Sequence, residues 1–248
     1  MLQKETVVII GASSPIAREI ACEYAAQGYS LLLLGRKKNQ LERLSHDLEI
    51  RYQVPVEIGV FDGMNKSEIE SCYQAIYDKE RILAGIIMAI GYLGDQLESE
   101  KNIDETARIM TINCNACCYF ISLFANYFEE RKKGFIIGIS SVAGDRGRFS
   151  NYTYGAAKGA FSLYLQGLRA RLHRSRVQVL TVKPGFTDTR MTYGKKGMFL
   201  VASPKKVALD IVKAQIKGKN EIYTPWFWKY IMFVIKQIPE SIFKKLKL

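Results

Sequence analysis

The chain has 248 residues, 48 % hydrophobic and 24 % charged, with no repeat or low-complexity run. This excludes disordered, collagenous and solenoid classes and makes one globular domain the default. The net charge of +12 permits attraction to an anionic membrane or to phosphorylated ligands without choosing between them. The basic residues are scattered and carry no recognition motif, so nucleic acid is not expected as a partner.

Five cysteines, at 22, 72, 114, 117 and 118, are odd in number, and the opening residues run into a strand without a signal peptide. A reducing, cytoplasmic setting is expected from both facts. Cys114, Cys117 and Cys118 fall within a helical apolar pattern without a partnering His or a second C-x-x-C, so packing is expected there and no metal site. His46 and His173 are the only histidines, and neither has a catalytic triad around it.

The first apolar run, 6–10, reads as a buried parallel strand ended by Gly11. A tight turn through Ser13 and Pro15 leads into a helix beginning near Ile16. A strand, turn and helix N-terminus are the parts that hold a dinucleotide pyrophosphate on free backbone N–H groups. Only Gly11 of the usual three glycines is present, with Pro15 and Ala17 standing at the other two positions. A second strand, 29–34, ends in Gly35-Arg36-Lys37-Lys38 with no acid at its end. An acid there would accept from ribose hydroxyls, whereas an arginine accommodates a 2′-phosphate, so NADP(H) is the expected cofactor and Arg36 its clamp.

Further on, a charged helix is expected over 39–52, a strand over 55–61 ending at Asp62, a helix over 66–77 and a strand over 83–89. A long apolar helix over 103–128 contains Asn113, and a fifth strand, 134–139, runs into Ser140 and Ser141. Next come the helix of Tyr154 and Lys158, a strand over 177–182 ending in Pro184-Gly185, a helix over 204–216 and a strand over 221–224. The alternation predicts a single doubly wound, Rossmann-type α/β domain over 1–225, with a seven-stranded parallel sheet flanked by helices and ligands at the carboxyl ends of its strands.

Tyr154 and Lys158 are four apart and share a helix face, placing a phenol and an ammonium in one space. A cation beside a phenol favours the phenolate and brings it toward general acid–base use. With Gly11, Asp62, Asn113, Ser141, Tyr154, Lys158 and Pro184-Gly185 in this order, the chain resembles the short-chain dehydrogenase/reductase family from residue 5 to about 225. The resemblance implies that Tyr154 is the proton donor in ketone reduction. It further implies that Lys158 lowers the phenol pKa and bonds the nicotinamide ribose, that Ser141 polarises the carbonyl, and that Asn113 joins a proton relay. Ser140 competes for the serine role, but Ser141 keeps the family spacing.

The same resemblance implies that Gly11, Ser13 and Ile16 lie along the phosphate loop, that Asp62 faces adenine, that Gly91 leaves room for the cofactor, and that Gly185 and Thr189 meet the nicotinamide end. The segment Met88-Ala89-Ile90-Gly91 stands where the family usually has Asn-Asn-Ala-Gly, so side-chain hydrogen bonds that steady the sheet are expected to be missing. A homo-oligomer is the family habit. The 91–96 segment, the altered phosphate loop and the tail are similar to the ketoreductases of the decaprenylphosphoryl-ribose 2-epimerase system, which implies a 2-keto-pentose on a polyprenyl phosphate as substrate. A free apolar ketone of steroid, retinoid or 3-oxoacyl type, and a non-catalytic NADPH-binding regulator, are the alternatives.

The tail, 226–248, carries five lysines against one glutamate, with an apolar run of about a dozen residues, short of the ~20 that span a bilayer. Lys229 and Lys236 are seven apart and share a face. An amphipathic helix lying peripherally on an anionic, cytoplasmic membrane face is expected, with a subunit contact or a cover over the substrate cleft as the other reading.

Overall fold

The computed structural model describes residues 4–77, 81–189 and 200–246. Seven parallel strands form one sheet: β1 (Thr6–Ile10), β2 (Ser30–Gly35), β3 (Val56–Val60), β4 (Leu83–Met88), β5 (Phe135–Ile139), β6 (Gln178–Pro184) and β7 (Glu221–Thr224). Their order is β3-β2-β1-β4-β5-β6-β7. The chain therefore reverses direction across the sheet between β1 and β4, which opens a crevice at their carboxyl ends.

β1 is buried throughout and apolar from Val7 to Ile10 because both of its faces are covered. Val7 and Ile9 join the core beneath α1 (Pro15–Ala26), α2 (Lys38–Tyr52) and α8 (Pro204–Ile216). Val8 and Ile10 join the opposite core, beneath α3 (Lys66–Tyr77), α6 (Ala116–Arg131) and α7 (Tyr152–Leu172). Side chains alternate faces along a strand, so a sheet with helices on both sides requires an unbroken apolar run.

The observed limits differ from the sequence reading by at most three residues, the end of α6 at Arg131 being the largest difference. β6 continues past Val182 to Pro184 because β7 extends the pairing to Pro184 and Thr224. The single long helix expected over 103–128 is a composite that follows the short α4 (Gln96–Ser99): α5 (Ile103–Met110), a π-helical turn (Thr111–Asn115), then α6. By length and composition the run Ile103–Arg131 resembles a membrane span. Phe120, Phe124 and Phe128 lie fully buried in the core, which accounts for its apolar character.

The tail folds against the domain as α9 (Trp228–Gln237) and α10 (Glu240–Phe243). Trp228 and Met232, four apart on one face, are buried against Val142, with Phe186 and Tyr223 packed around them. Arg146 holds the end of α9: its Nη1 donates to Ile235 O and Ile238 O, both at 2.7 Å, and its Nη2 pairs with Glu240 at 3.1 Å. Its guanidinium also lies 3.7 Å from the Phe243 ring centroid. These contacts make the tail part of the fold, so Trp228→Ala is expected to cost about 3–5 kcal/mol in urea denaturation. A loss below ~1 kcal/mol would show that the domain does not depend on the tail.

Candidate active site

The site begins with a close approach. After β5, Ser141 adopts extended backbone (φ −165°, ψ 153°) and caps a 3-10 turn, Val142–Asp145, its Oγ accepting from Ala143 N at 3.1 Å. This turn lies directly on α7. A Cβ at Gly144 would fall 2.6 Å from Gly159 N, and one at Gly159 would fall 2.9 Å from Gly144 O. Only glycines fit both sides of that seam, and the seam brings Ser141 into hydrogen-bonding reach of the Tyr154 phenol.

Tyr154 is 8 % exposed and Lys158 2 %. Burial pushes the Tyr154 phenol up to about 12, against a downward pull from the Ser141 hydrogen bond. This corrects the expectation that Lys158 sets the phenol low. Lys158 Nζ is 6.0 Å from the Tyr154 ring centroid and donates to Ile139 O at 3.1 Å and Ile90 O at 3.3 Å. Burial lowers the Lys158 pKa, opposed by the nearby Cys117 and Cys114 thiols.

The structure separates the two serines. Ser140 is buried, donating to Lys158 O at 2.9 Å and bonding Ser162 Oγ at 2.7 Å. It braces α7, while Ser141 faces Tyr154. Asn113 is fully buried in the π-helical turn with its amide committed: Oδ1 accepts from Tyr92 N at 3.1 Å, and Nδ2 donates to Tyr92 O at 2.6 Å and Ile109 O at 2.8 Å. Its side chain is thus an anchor for the 90–95 loop. The hydrogen bonds expected to be missing from the Met88-Ala89-Ile90-Gly91 segment are replaced by this anchor and by the bond from Lys158 to Ile90 O.

The residues expected at a cofactor lie along the crevice. Gly11 has φ +84°, and a Cβ there would come within 2.8 Å of Ala89 C, so β1 and β4 meet at this glycine. Ser13 approaches Gly35 at the end of β2, its Oγ 4.0 Å from a Cβ built there, and Arg36 follows, exposed. Ile16, in the first turn of α1, packs half-buried against the core. Asp62 follows β3, with Oδ1 accepting from Met64 N at 3.0 Å, and Gly91 is exposed beyond β4. Gly185 sits at the end of β6 directly under the Trp228 indole, leaving no room for a Cβ. Thr189 is half-buried at the edge of the described residues.

Sequence reasoning missed three supports. Ser14 caps α1, its Oγ accepting from Ala17 N at 3.2 Å with Pro15 next in line, a pairing legible as an N-cap signal. Asp145, 5 % exposed, pairs with Lys183 at 2.9 Å, and Lys183 also pairs with Glu221 at 2.8 Å. Burial opposes the Lys183 charge, but Glu221 and Asp145 prevail and hold its pKa above the ordinary range. Arg146 is the third, and no local pattern marked it. As arranged, the site offers a buried protonated phenol, a hydroxyl beside it and a buried ammonium behind, groups suited to giving a proton to an oxygen.

Among known proteins, a family model described as short chain dehydrogenase matches residues 5–197. An uncharacterized oxidoreductase of Mycobacterium tuberculosis is 28 % identical over 240 residues, covering 97 % of this chain and 96 % of its own. A short-chain dehydrogenase from Sphingobium yanoikuyae, solved in complex with NADPH, shares the fold at TM-score 0.84 and 22 % identity, over 96 % of this chain and 97 % of that one. A bulky-bulky ketone specific alcohol dehydrogenase from Comamonas testosteroni has TM-score 0.81 and 20 % identity, with 96 % of each chain covered.

A phenol pushed up to about 12 stays protonated from pH 6 to 9, and ionises only as pH rises through that value. Spectrophotometric titration of the cofactor-free protein, wild type minus Tyr154→Phe, should place this phenol well above the ordinary ~10. A midpoint at or below 10 would show that the cation, not burial, governs it.

Proposed function

Because the chain belongs to the short-chain dehydrogenase family, NAD(P)-dependent oxidoreductases of CH–OH and C=O groups, we propose that it is an NADPH-dependent carbonyl reductase. The observation that carries this is the buried Tyr154 phenol, its pKa raised by burial and pulled down by Ser141 beside it, with Lys158 on the same helix face. Tyr154 gives its proton to the carbonyl oxygen, and Ser141 holds that oxygen in place. Lys158 is the cation nearest to the phenolate left behind. When bound, NADPH supplies the hydride.

The residues present fit such a cofactor. Gly11 keeps the left-handed turn and the close approach to Ala89. Pro15 stands at a first helical position, where no N–H is needed, and Ala17 fills a fully buried place. Ser14 takes the Ala17 N–H, so the Ile16 N–H, which no intrahelical carbonyl can reach, is the first-turn donor for a phosphate. Ser13 borders the same turn. Arg36 serves the 2′-phosphate, Asp62 and Gly91 the adenine side, and Gly185 and Thr189 the nicotinamide side. Asn113 serves by fixing the loop after Gly91.

For substrate we propose a 2-keto sugar carried on a polyprenyl phosphate. Support comes from the outward side of the tail, where Trp226, Tyr230, Phe233 and Val234 are all more than 60 % exposed and Lys229 and Lys236 are exposed beside them. Aromatics flanked by lysines suit peripheral contact with an anionic membrane surface. A free apolar ketone would use the same surface, and competition between the two substrates separates them. Because Trp228 is built into the fold, Tyr230→Ser with Phe233→Ser is a cleaner test of membrane contact than removal of the tail. The pair should abolish sedimentation with anionic vesicles, and undiminished sedimentation would refute the contact. Exposed Tyr119 and Leu163 on α6 and α7 favour a homo-oligomer, which light scattering tests.

Tyr154→Phe is expected to lower the rate of carbonyl reduction by roughly 10²–10⁴-fold with NADPH affinity retained. Near-normal turnover would refute the catalytic assignment. Calorimetry should show NADPH bound more tightly than NADH, with the difference reduced about tenfold or more in Arg36→Ala. Equal affinities in the wild type would remove Arg36 from the site.

A further inference from the structure

Two buried polar atoms on the loop joining Ser141 to Tyr154 have no hydrogen-bond partner among the described residues: Arg148 Nε, a donor, and Asn151 Oδ1, an acceptor. A turn ties them together, with Asn151 N donating to Arg148 O at 3.2 Å. Among the described residues the Arg148 guanidinium makes one hydrogen bond, from Nη2 to the thioether Sδ of Met232 on α9 at 3.1 Å, a weak acceptor. Burial lowers the Arg148 pKa, and Asp145 is the acid that opposes this. The Asp145 carboxylate is already engaged, with Oδ1 on Lys183 Nζ at 2.9 Å and Oδ2 accepting from the Tyr223 hydroxyl at 2.7 Å.

Arg146, two residues earlier, shows what a structural arginine looks like in this fold: it is met by main-chain carbonyls, a carboxylate and an aromatic face. Among the described residues, Arg148 has none of these. A largely buried guanidinium without an acid of its own costs stability, and its fork of donors matches an oxyanion of phosphate type. A free amide oxygen three residues on accepts from a hydroxyl. Met232 belongs to the same apolar cluster as Val142, the residue after Ser141, so the Arg148 guanidinium lies on the wall shared by the catalytic turn and the tail, with Asn151 tied to it through the turn.

We propose that Arg148 and Asn151 form a substrate subsite in which Arg148 binds a phosphate group and Asn151 a neighbouring sugar hydroxyl, next to the Ser141–Tyr154 pair. The subsite rests on the carbonyl-reductase reading and names the part of the substrate that reading leaves open. An ester chain on the phosphate would leave past α9, toward its outward aromatic side.

The test is calorimetry on the full chain saturated with NADP+, which prevents turnover and fills the cofactor's own phosphate positions. Ribulose 1-phosphate and ribulose are titrated into the wild type, Arg148→Met and Arg148→Lys. The wild type should bind the phosphorylated ketose at least tenfold more tightly than ribulose. Arg148→Met should weaken that binding roughly tenfold to a hundredfold, with Arg148→Lys in between because it keeps the charge and loses the fork. Equal affinity for ribulose 1-phosphate in the wild type and Arg148→Met overturns the subsite. Arg148→Met should also melt at or above the wild-type temperature, since it removes an unpaired buried charge; a variant that unfolds would show Arg148 paired within the fold and would overturn the proposal equally. Phosphatidylcholine vesicles carrying decaprenyl phosphate separate the two sources of phosphate: competition with ribulose 1-phosphate assigns a lipid headgroup, and its absence alongside tight sugar-phosphate binding assigns a soluble one. Absence of NADPH-dependent turnover on any ketone would refute the reductase reading, whereas turnover with unchanged phosphate affinity in Arg148→Met would refute the subsite alone.

Discussion

The site depends on how closely the turn after β5 lies on α7. Main chain meets main chain between Gly144 and Gly159 at distances that admit no side chain on either. Ser140 reinforces the contact from below through the Lys158 carbonyl and Ser162. A methyl group at the seam would have to push the turn off α7 to relieve a 2.6 Å contact, and Ser141 would be displaced from the phenol with it. Tyr154 and Lys158 are brought into register by the helix itself; Ser141 is brought to them by glycines.

The same turn carries the other side of the cleft. Val142 receives Trp228 and Met232, Asp145 anchors Lys183 beneath Gly185, and Arg146 holds the end of α9. The tail, the loop after β6 and the turn that starts at Ser141 therefore share one small apolar and ionic cluster. Removing Lys183 would leave the buried Asp145 carboxylate without its ion-pair partner close to that loop, whereas Lys183 would keep Glu221 if Asp145 were lost. The Trp228 indole lies directly on Gly185 and gives the start of the loop an apolar backing.

The loop beyond β4 illustrates how a lost polar signature is compensated. In place of asparagine side chains on the strand, Asn113 reaches across from a π-helical turn to hold both polar groups of Tyr92, and Lys158 holds the Ile90 carbonyl. The π turn widens the helix at the place where the side chain must enter, a common reason for such turns near functional sites. Lys158 consequently spends donors on main chain, and the phenol answers chiefly to burial.

Strand and helix order, the two-sided burial of β1, the break at Gly11 and the Tyr154–Lys158 face were legible in the sequence, because each follows from local periodicity or from one residue's backbone demands. The cations after β2 were legible for the same reason, as charges where a strand ends. Tertiary structure alone decided which of Ser140 and Ser141 faces the phenol, what occupies the Asn113 amide, which side of the tail turns inward, and that among the described residues Arg148 pairs with no acid while Arg146 is fully engaged. Those outcomes turn on contacts between segments up to about ninety residues apart, such as Arg146 with Ile238. Nothing in a local pattern encodes which donor meets which acceptor once the layers close, and burial, which shifts the Tyr154 phenol, Lys158 and Arg148, exists only after they have.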